Sequence, residues 1–481
     1  MIEAEDVPET AKACDLSEEV TATPAQLSSE ADDQFKSLGA KALKGTAWSV
    51  GAYGSAMAFR LLSNILLSRL LVPQYFGLMA LLNSTITGLT LFSDFGLAPN
   101  IILSKRGDDP AFLNTAWTMQ VIRGVGLWIF CLCLSFPFAK FYGEPSLSVL
   151  VPVIAFSLVI SGFNSTSLAT LERHLEVRKL ALIELSIQVS QLVFTIVWAL
   201  IHRSIWALVA GKLFSDVVRL VVSKYLIPGY RNSFQWESPA VRELFGYARW
   251  VIPATSLFFL SSQSDRMVLG KLVSFRTLGL YGIAFALSDV PRQIILTFSQ
   301  KIVVPFVSKV SHLPRPEFLA VVLKYRRGVL MSAASFLAIV VATGDVFLSH
   351  IYDARYHDAT WIVPILAVGL WHTILYNTTT PCLYAVNKRH YAVTGYFLSA
   401  LVVITITPIT FHKWGMLGAV WTVALSDVPM YFVNLCGMMR EGMPPFAQDL
   451  KATLFFFLLL GALILIRTAV GIPFPHSVAL Q

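Results

Sequence analysis

The sequence predicts an all-α integral membrane protein of 12–14 transmembrane helices, thirteen by count, arranged as two six-helix bundles and one extra helix. Three observations lead there. Of the 481 residues, 55% are hydrophobic and only 14% charged, with a mean hydropathy of +0.64. A soluble domain carries about 25% charge, so most of this surface cannot face water. Apolar runs about 20 residues long, the length that crosses a bilayer, recur along the chain with short charged connections between them. Lys and Arg also fall unevenly on alternate connections. After residue 45 no hydrophilic stretch is long enough to fold a separate catalytic domain.

Residues 1–39 come first and differ from the rest. They hold ten acids, Glu3 to Asp33, against Lys12 and Lys36, with no aromatic residue before Phe35. Such a segment lacks the apolar surface to offset its ordering entropy and reads as a disordered acidic cytoplasmic tail. It has no basic stretch followed by an apolar one, so a cleaved signal peptide is not expected. Residues 40–227 form the first bundle, with spans at 46–68, 78–103, 114–138, 147–169, 180–201 and 204–226. A cytoplasmic linker, 228–247, leads to the second bundle, 248–440, with spans at 248–270, 278–303, 328–349, 361–385, 391–411 and 415–437. Residues 441–481 carry the extra helix, 452–470 (LFFFLLLGALILI at its core), and a tail.

With the amino terminus in the cytoplasm, the inner connections carry 22 Lys and Arg and the outer ones 7. Positive charge in short loops governs insertion, so the amino terminus is placed inside. The net charge of +8 then reflects topology, and no nucleic-acid partner is needed to explain it. Thirteen spans put the carboxyl terminus outside; a last helix lying on the surface would leave it inside.

The halves resemble each other. LLSRLLVPQYFGLMAL from Leu66 aligns with VLGKLVSFRTLGLYGIA from Val268, with Arg69 on Lys271 and Gly77 on Gly279, an offset of 202. Asn164-Ser165-Thr166 matches Asn377-Thr378-Thr379 at 213, and Ser215-Asp216 matches Ser426-Asp427 at 211. A duplicated unit with an even number of helices gives parallel repeats about an axis along the membrane normal, with a site between them near the midplane.

Charges lie inside these spans, where each costs about 2.5–3.5 kcal/mol on insertion scales unless it finds a partner or a wet cavity. The candidate substrate-binding bases are Arg60, Arg123, Lys212, Arg219, Arg266 and Arg292. The candidate ion-coupling or charge-balancing acids are Asp94, Asp216, Asp265, Asp289 and Asp427. Ser-Asp recurs in spans 2, 6, 8 and 12, and Ala-Leu-Ser-Asp-Val-Pro occurs twice, at 286–291 and 424–429. Pro291 and Pro429 are expected to kink spans 8 and 12 beside Asp289 and Asp427. Lys212, Asp216 and Arg219 share one helix face, as do Asp289 and Arg292. For Asp216 and Asp265, packing against a neighbouring base and a cavity role stand as equal readings. Glu184 and Asp345 are expected to reach the interface and Arg467 to snorkel. A basic, hydrated lumen suits an anionic amphiphile, because arginine's planar fork holds phosphate oxygens through two hydrogen bonds.

There is no G-x-x-x-x-G-K-[ST], H-E-x-x-H, C-x-x-C or G-x-S-x-G, so no cofactor or metal is expected and a transporter is favoured over an enzyme. The five cysteines are scattered, and His372 reads as a core histidine.

Arg69-Leu70 and Phe76-Gly77-Leu78, followed by Leu91-Phe92-Ser93-Asp94-Phe95-Gly96-Leu97, resemble the opening motifs of the Wzx-type polysaccharide flippases. Asp265-Arg266-Met267-Val268-Leu269-Gly270 and Leu278-Gly279-Leu280-Tyr281 resemble that family's second-half start. The resemblance covers about residues 40–440 and is closest to the exopolysaccharide and colanic-acid branch of the superfamily that also holds multidrug antiporters. It implies a V-shaped central cavity and alternating access. It also implies transfer of undecaprenyl-pyrophosphate-linked oligosaccharide across a bacterial inner membrane, with a polysaccharide polymerase and chain-length or export proteins as partners. Asp94, Asp265 and Arg266 fall within matched motifs. A cation-coupled multidrug antiporter and a polymerase or assembly protein are the alternatives; the antiporter predicts an acid-dominated cavity and the polymerase a long outer loop.

Overall fold

The computed structural model describes residues 51, 54–174, 176–225, 231–299, 303–304, 307 and 314–472. The expected tail, 1–39, lies outside the described residues. All regular structure among the described residues is helical, as the apolar runs require: in a bilayer the backbone must satisfy its own hydrogen bonds. Seven helices are long and apolar enough to cross a membrane by themselves, and an eighth crossing is a pair bent by 60°. The chain is a multi-pass membrane protein.

The first half comprises α1 (54–70), α2 (Pro73–Phe92), α3 (Leu97–Leu103), α4 (Pro110–Tyr142), α5 (Leu147–Gly162), α6 (Ser167–Arg173), α7 (Val177–Ile201) and α8 (Trp206–Tyr225). The second comprises α9 (Ser238–Leu272), α10 (Phe275–Ser288), α11 (Val290–Phe298), α12 (Arg315–Ile351), α13 (Ile362–Asn377), α14 (Thr380–Ala385), α15 (His390–Leu425) and α16 (Val428–Arg440). The last helix, α17, is Phe446–Ala469. Leu78, Leu81 and Leu82 of α2 share one buried core with Leu278, Leu280 and Tyr281 of α10, so the core is continuous across the halves.

Several predicted spans are broken. The second span divides into α2 and α3 at Ser93-Asp94, the eighth into α10 and α11 at Asp289, and the twelfth at Asp427. Pro291 and Pro429 were expected to bend continuous helices. Instead each lies in the first turn of a new helix, where a missing N–H leaves no bond unmade. The fourth and tenth spans break at the matched Asn164 and Asn377 segments, and the sixth and twelfth spans, respectively, bridge the gaps. Ser223 Oγ accepts from the Ser165 N–H at 3.0 Å; Asn434 Nδ2 donates to Thr380 at 2.7 Å.

The 36-residue α15 is a hairpin of two spans. Gly415 has φ 59° and ψ −150°, and Thr410 Oγ1 lies 2.8 Å from Thr422 Oγ1. Twelve residues along a straight helix would separate them by about 18 Å. Only glycine adopts that backbone cheaply, which places the turn between spans 11 and 12 at Gly415.

The extra helix is riveted to α12 by two buried ion pairs. Arg326 meets Asp449 at 2.6 Å near the start of both helices, and Asp345 meets Arg467 at 2.6 Å near the end of both. The expectation that Asp345 and Arg467 reach the interface separately is therefore corrected: both are buried, bonded to each other, and part of the packing. The two pairs come in the same order and at nearly equal spacing along both helices, 19 and 18 residues, so α17 runs parallel to α12 through the same layer.

Candidate functional site

Where α2 crosses α10, the matched glycines Gly77 and Gly279 face each other. A Cβ on Gly77 would fall 1.9 Å from the carbonyl oxygen of Phe275, and one on Gly279 would fall 1.9 Å from that of Pro73. Phe275 is 202 residues beyond Pro73, as Gly279 is beyond Gly77, so the contact is its own two-fold image. The structure thus carries the duplication read from the sequence.

A second two-fold pair lies beside the crossing. Arg69, ending the first span, donates to the carbonyl of Ile351 at the end of α12 (3.4 Å); its counterpart Lys271, ending α9, donates to the carbonyl of Phe141 at the end of α4. A cation at the carboxyl end of a helix meets free carbonyls and the negative end of the helix dipole. Each half therefore clasps the other. Arg355 adds bonds to the carbonyls of Ser68 (3.2 Å) and Arg69 (3.1 Å), Tyr356 one to Leu71 (3.1 Å), and Tyr142 one to Met267 (3.3 Å). Arg355 in turn holds Asp353 at 2.7 Å and keeps that carboxyl below the ordinary carboxylate range. This end of the molecule is shut.

Adjoining the shut end is a cavity of about 770 Å³, walled by α1, α2, α7 and α8, with Arg266 and Gly282 contributed by the second half. Four of the six predicted bases line it: Arg60, Lys212, Arg219 and Arg266. Lys212 pairs with Asp216 at 2.5 Å, and Arg219 with Glu184 at 2.7 Å. Glu184 was expected to reach the interface; it belongs to the cavity wall, drawn there by Arg219. Arg266 donates to Gln263 at 2.8 Å and stacks 4.5 Å above the Phe285 ring, while Asp265 lies 3.7 Å away. Arg60 is exposed in the cavity and has no hydrogen-bond or ion-pair partner among the described residues.

Arg292 occupies a different place. With Asp265, Asp289 and Asp427 it lines a cavity of about 80 Å³ within the second half. Asp289 binds Arg292 and accepts from Gln293 at 2.8 Å. Asp427 accepts from Thr373 (2.8 Å), Ser399 (2.9 Å) and Tyr376 (3.3 Å), and Asp265 from Tyr281 (2.5 Å). Neighbours on α9, Asp265 and Arg266 thus line different cavities, one acidic and small, the other basic and large.

Two predicted residues join neither cavity. Arg123 donates to the carbonyl of Thr90 (2.5 Å) and to Ser93 Oγ (3.0 Å), satisfying groups freed where α2 ends. Asp94 caps the Gly96 N–H at 2.9 Å in the same break. Both sit at the interruption of the second span, a position that helix counting alone could not separate from the lumen. His372 is a core histidine, its Nε2 3.2 Å from the carbonyl of Ala424. The sequence predicts Ser, Thr, Asn and Gln along the lumen without singling out residues; the cavity's side-chain amides are Asn64, Asn83, Gln188 and Gln191. Their common helix faces were the available signal.

The chain is similar to several known proteins. The chain is 20% identical over 268 residues to the succinoglycan biosynthesis transport protein ExoT of Rhizobium meliloti, covering 55% of this chain and 53% of that protein. It is 22% identical over 276 residues to the lipopolysaccharide biosynthesis protein WzxC of Escherichia coli, covering 57% and 56%. The match spans about half the length of these relatives. Among solved structures, the lipid II flippase MurJ in an inward closed conformation superposes with a TM-score of 0.70 at 13% identity, over 86% of this chain and 92% of that one. An inward-facing multidrug resistance MATE family transporter superposes with a TM-score of 0.63 at 13% identity, over 79% and 93%. These likenesses show the fold. A family model described as polysaccharide biosynthesis protein matches residues 66–360, more than half of the chain, and the chain belongs to that family.

Proposed function

We propose that this chain moves undecaprenyl-pyrophosphate-linked oligosaccharide repeat units from the inner to the outer leaflet of a bacterial inner membrane, for exopolysaccharide biosynthesis, by alternating access. The observation that carries the reading is the gathering of Arg60, Lys212, Arg219 and Arg266 on one cavity beside a two-fold-related clasp. Two acids, Glu184 and Asp216, line the same cavity, so its wall keeps a positive excess. A pyrophosphate completes that charge, and arginine stays charged at any working pH.

The Lys and Arg count puts the amino terminus in the cytoplasm, which makes the clasped end the outer one and the thirteenth span an outward crossing. The headgroup then enters from the cytoplasmic side, with Arg60 as the base still unpaired, while the lipid tail stays in the membrane. Release of the outer clasp and closure of the inner side turn the headgroup over. Asp265, Asp289 and Asp427 serve as the coupling or charge-balancing group, with Arg292 offsetting one of the three. The protein makes and breaks no covalent bond; a polymerase and chain-length or export proteins act on what it delivers.

Leaflet-resolved labelling of lipid-linked repeat units in a strain lacking the gene tests this. Accumulation in the inner leaflet is expected, and Arg60→Ala should reproduce it. Accumulation in the outer leaflet would instead assign polymerisation. Unchanged polymer with altered drug resistance would assign a multidrug antiporter.

A further inference from the structure

We propose that the side-chain amides of the large cavity form a saccharide-binding subsite, set among its bases. The proposal rests on the lipid-pyrophosphate reading above and adds the groups that recognise the sugars. Four side-chain amides line this cavity, those of Asn64, Asn83, Gln188 and Gln191, and none of them has a hydrogen-bond partner among the described residues. Several other amides among the described residues are used structurally. Gln120 donates to the carbonyls of Ser161 and Gly162, Asn434 bridges Thr379 and Thr380, and Gln448 joins Arg326 to the carbonyl of Leu323. The cavity amides have no such structural task and face an open hollow. An amide offers two donors and an acceptor, which matches the mixed donor and acceptor character of sugar hydroxyls.

Their placement follows the helices that wall the cavity. Glu184, Gln188, Gln191 and Thr195 follow one another at i, i+4, i+7 and i+11 on α7, all on the cavity wall, in a stripe about 16 Å long. Its first member is paired with Arg219; the uncharged members continue toward the clasped end. On α1 the order is the same, Arg60 before Asn64, with Arg69 of the clasp farther along. Along α1 and α7, charge thus comes first and amides stand nearer the clasp. Lys212 and Arg266 bring positive charge to the same depth, since Gly211 packs against Thr195 and Arg266 is the two-fold counterpart of Asn64. A headgroup in such a cavity meets bases and amides side by side, matching its phosphates and its sugar hydroxyls. Binding selectivity follows from chemistry: groups that hydrogen-bond a sugar hydroxyl are left unpaired by a ligand that lacks it.

The test uses the full-length protein in lipid nanodiscs and two probes. One is undecaprenyl pyrophosphate; the other is the lipid-linked oligosaccharide pool extracted from a strain lacking the gene. The double variant Q188L/Q191L should bind undecaprenyl pyrophosphate within about twofold of the parent and the oligosaccharide pool about tenfold more weakly, the loss expected for two or three neutral hydrogen bonds. Asn83→Ala removes an amide that is exposed and has no contact to lose, and it should weaken the oligosaccharide alone. Arg60→Gln should weaken both probes. Equal changes for the two probes in Q188L/Q191L and in Asn83→Ala, or no change in either, would overturn the subsite. A parent protein that binds neither probe would overturn the lipid-pyrophosphate reading itself, and the subsite with it.

Discussion

A methyl group added at Gly77 or Gly279 tests whether the α2–α10 crossing holds the clasped end shut. Each new Cβ would lie 1.9 Å from a carbonyl oxygen of the opposite helix, Phe275 in one case and Pro73 in the other. The obstacle is backbone, so no rotamer change relieves it. Restoring ordinary contact at 3.4 Å requires the helices to part by about 1.5 Å. Overpacking of this kind costs about 1–3 kcal/mol. If opening of the crossing releases the strain, the ratio of open to shut protein rises by roughly 5- to 150-fold. The assay is alkylation of a single cysteine, Ser68→Cys, in a chain without its native cysteines. Ser68 is fully buried, and its carbonyl accepts from Arg355 in the clasp, so a membrane-impermeant maleimide added outside reaches it only on opening. Gly77→Ala and Gly279→Ala should each raise the labelling rate by a factor in that range. Gly282→Ala, on the same helix with nothing within 4 Å of the added Cβ, should leave it unchanged. Parental labelling rates in folded, membrane-inserted Gly77→Ala and Gly279→Ala would refute the reasoning.

Arg60→Ala should abolish polymer export in a complementation assay while immunoblots show an unchanged membrane level, because the side chain is exposed and its removal orphans no partner. Asp345→Asn leaves Arg467 buried without its counter-charge and should destabilise the protein by about 3–5 kcal/mol, read as a lower Tm in detergent. The double variant Asp345→Leu with Arg467→Leu should recover most of that loss. Asp353, held below its usual value of 3.8 by the side chain and backbone N–H of Arg355, contributes to closure above the ordinary carboxylate range and loses its charge only as pH falls through the depressed value. Labelling at Ser68→Cys, divided at each pH by that of a permanently exposed cysteine to cancel the thiolate fraction, should therefore stay flat from roughly pH 8 to pH 5; a ratio climbing toward pH 5 would contradict the assignment. A reporter enzyme fused after Gln481 should be active outside the cell, since α17 runs parallel to α12; activity inside would overturn that crossing.

The helical class and the duplication were legible because both depend on patterns that survive divergence: runs of apolar residues, and Arg69 and Gly77 recurring as Lys271 and Gly279. The breaks were half legible. Ser-Asp-Val-Pro announced an interruption, but a proline two residues after an acid reads equally as a bend within a helix or as the first turn of the next one. Only the chain path distinguishes them, and both sites took the second form. The basic cavity was legible through four residues and misread through Arg123, because a base in mid-span faces either a lumen or the carbonyls exposed by a neighbouring break. Arg123 found the carbonyl of Thr90. Glu184, Asp345 and Arg467 were misread for a related reason. Each lies near a span end, where interface and partner compete, and the partners stood 35 and 122 residues away. The amides left no trace in any charge count, since an uncharged side chain in a span is cheap enough to pass without explanation.

The two halves kept their symmetry in one region and lost it in another, and the division tracks what each region must do. Around the clasp the equivalences persist: Gly77 with Gly279, Pro73 with Phe275, Arg69 with Lys271, each making its partner's contact in mirror order. A gate built from two identical half-contacts opens on both sides together, so a change in one half that has no match in the other would unbalance it. The cavities face no such constraint. Lys212, Asp216 and Arg219 of α8 line a wide hollow, whereas the matched segment around Asp427 closes on Thr373, Tyr376 and Ser399 in a space about a tenth as large. Space for a headgroup in one half and a tightly bonded acid in the other is what a transporter needs if cargo and driving charge are held apart yet share one gate. Asp265 and Arg266 mark the boundary, consecutive residues on α9 that serve opposite cavities. Exchanging them, as Asp265→Arg with Arg266→Asp, keeps composition and net charge while inverting the sign offered to each cavity. Transport should be lost although the protein inserts normally; retained polymer export would show that the two cavities do not need their opposite charges.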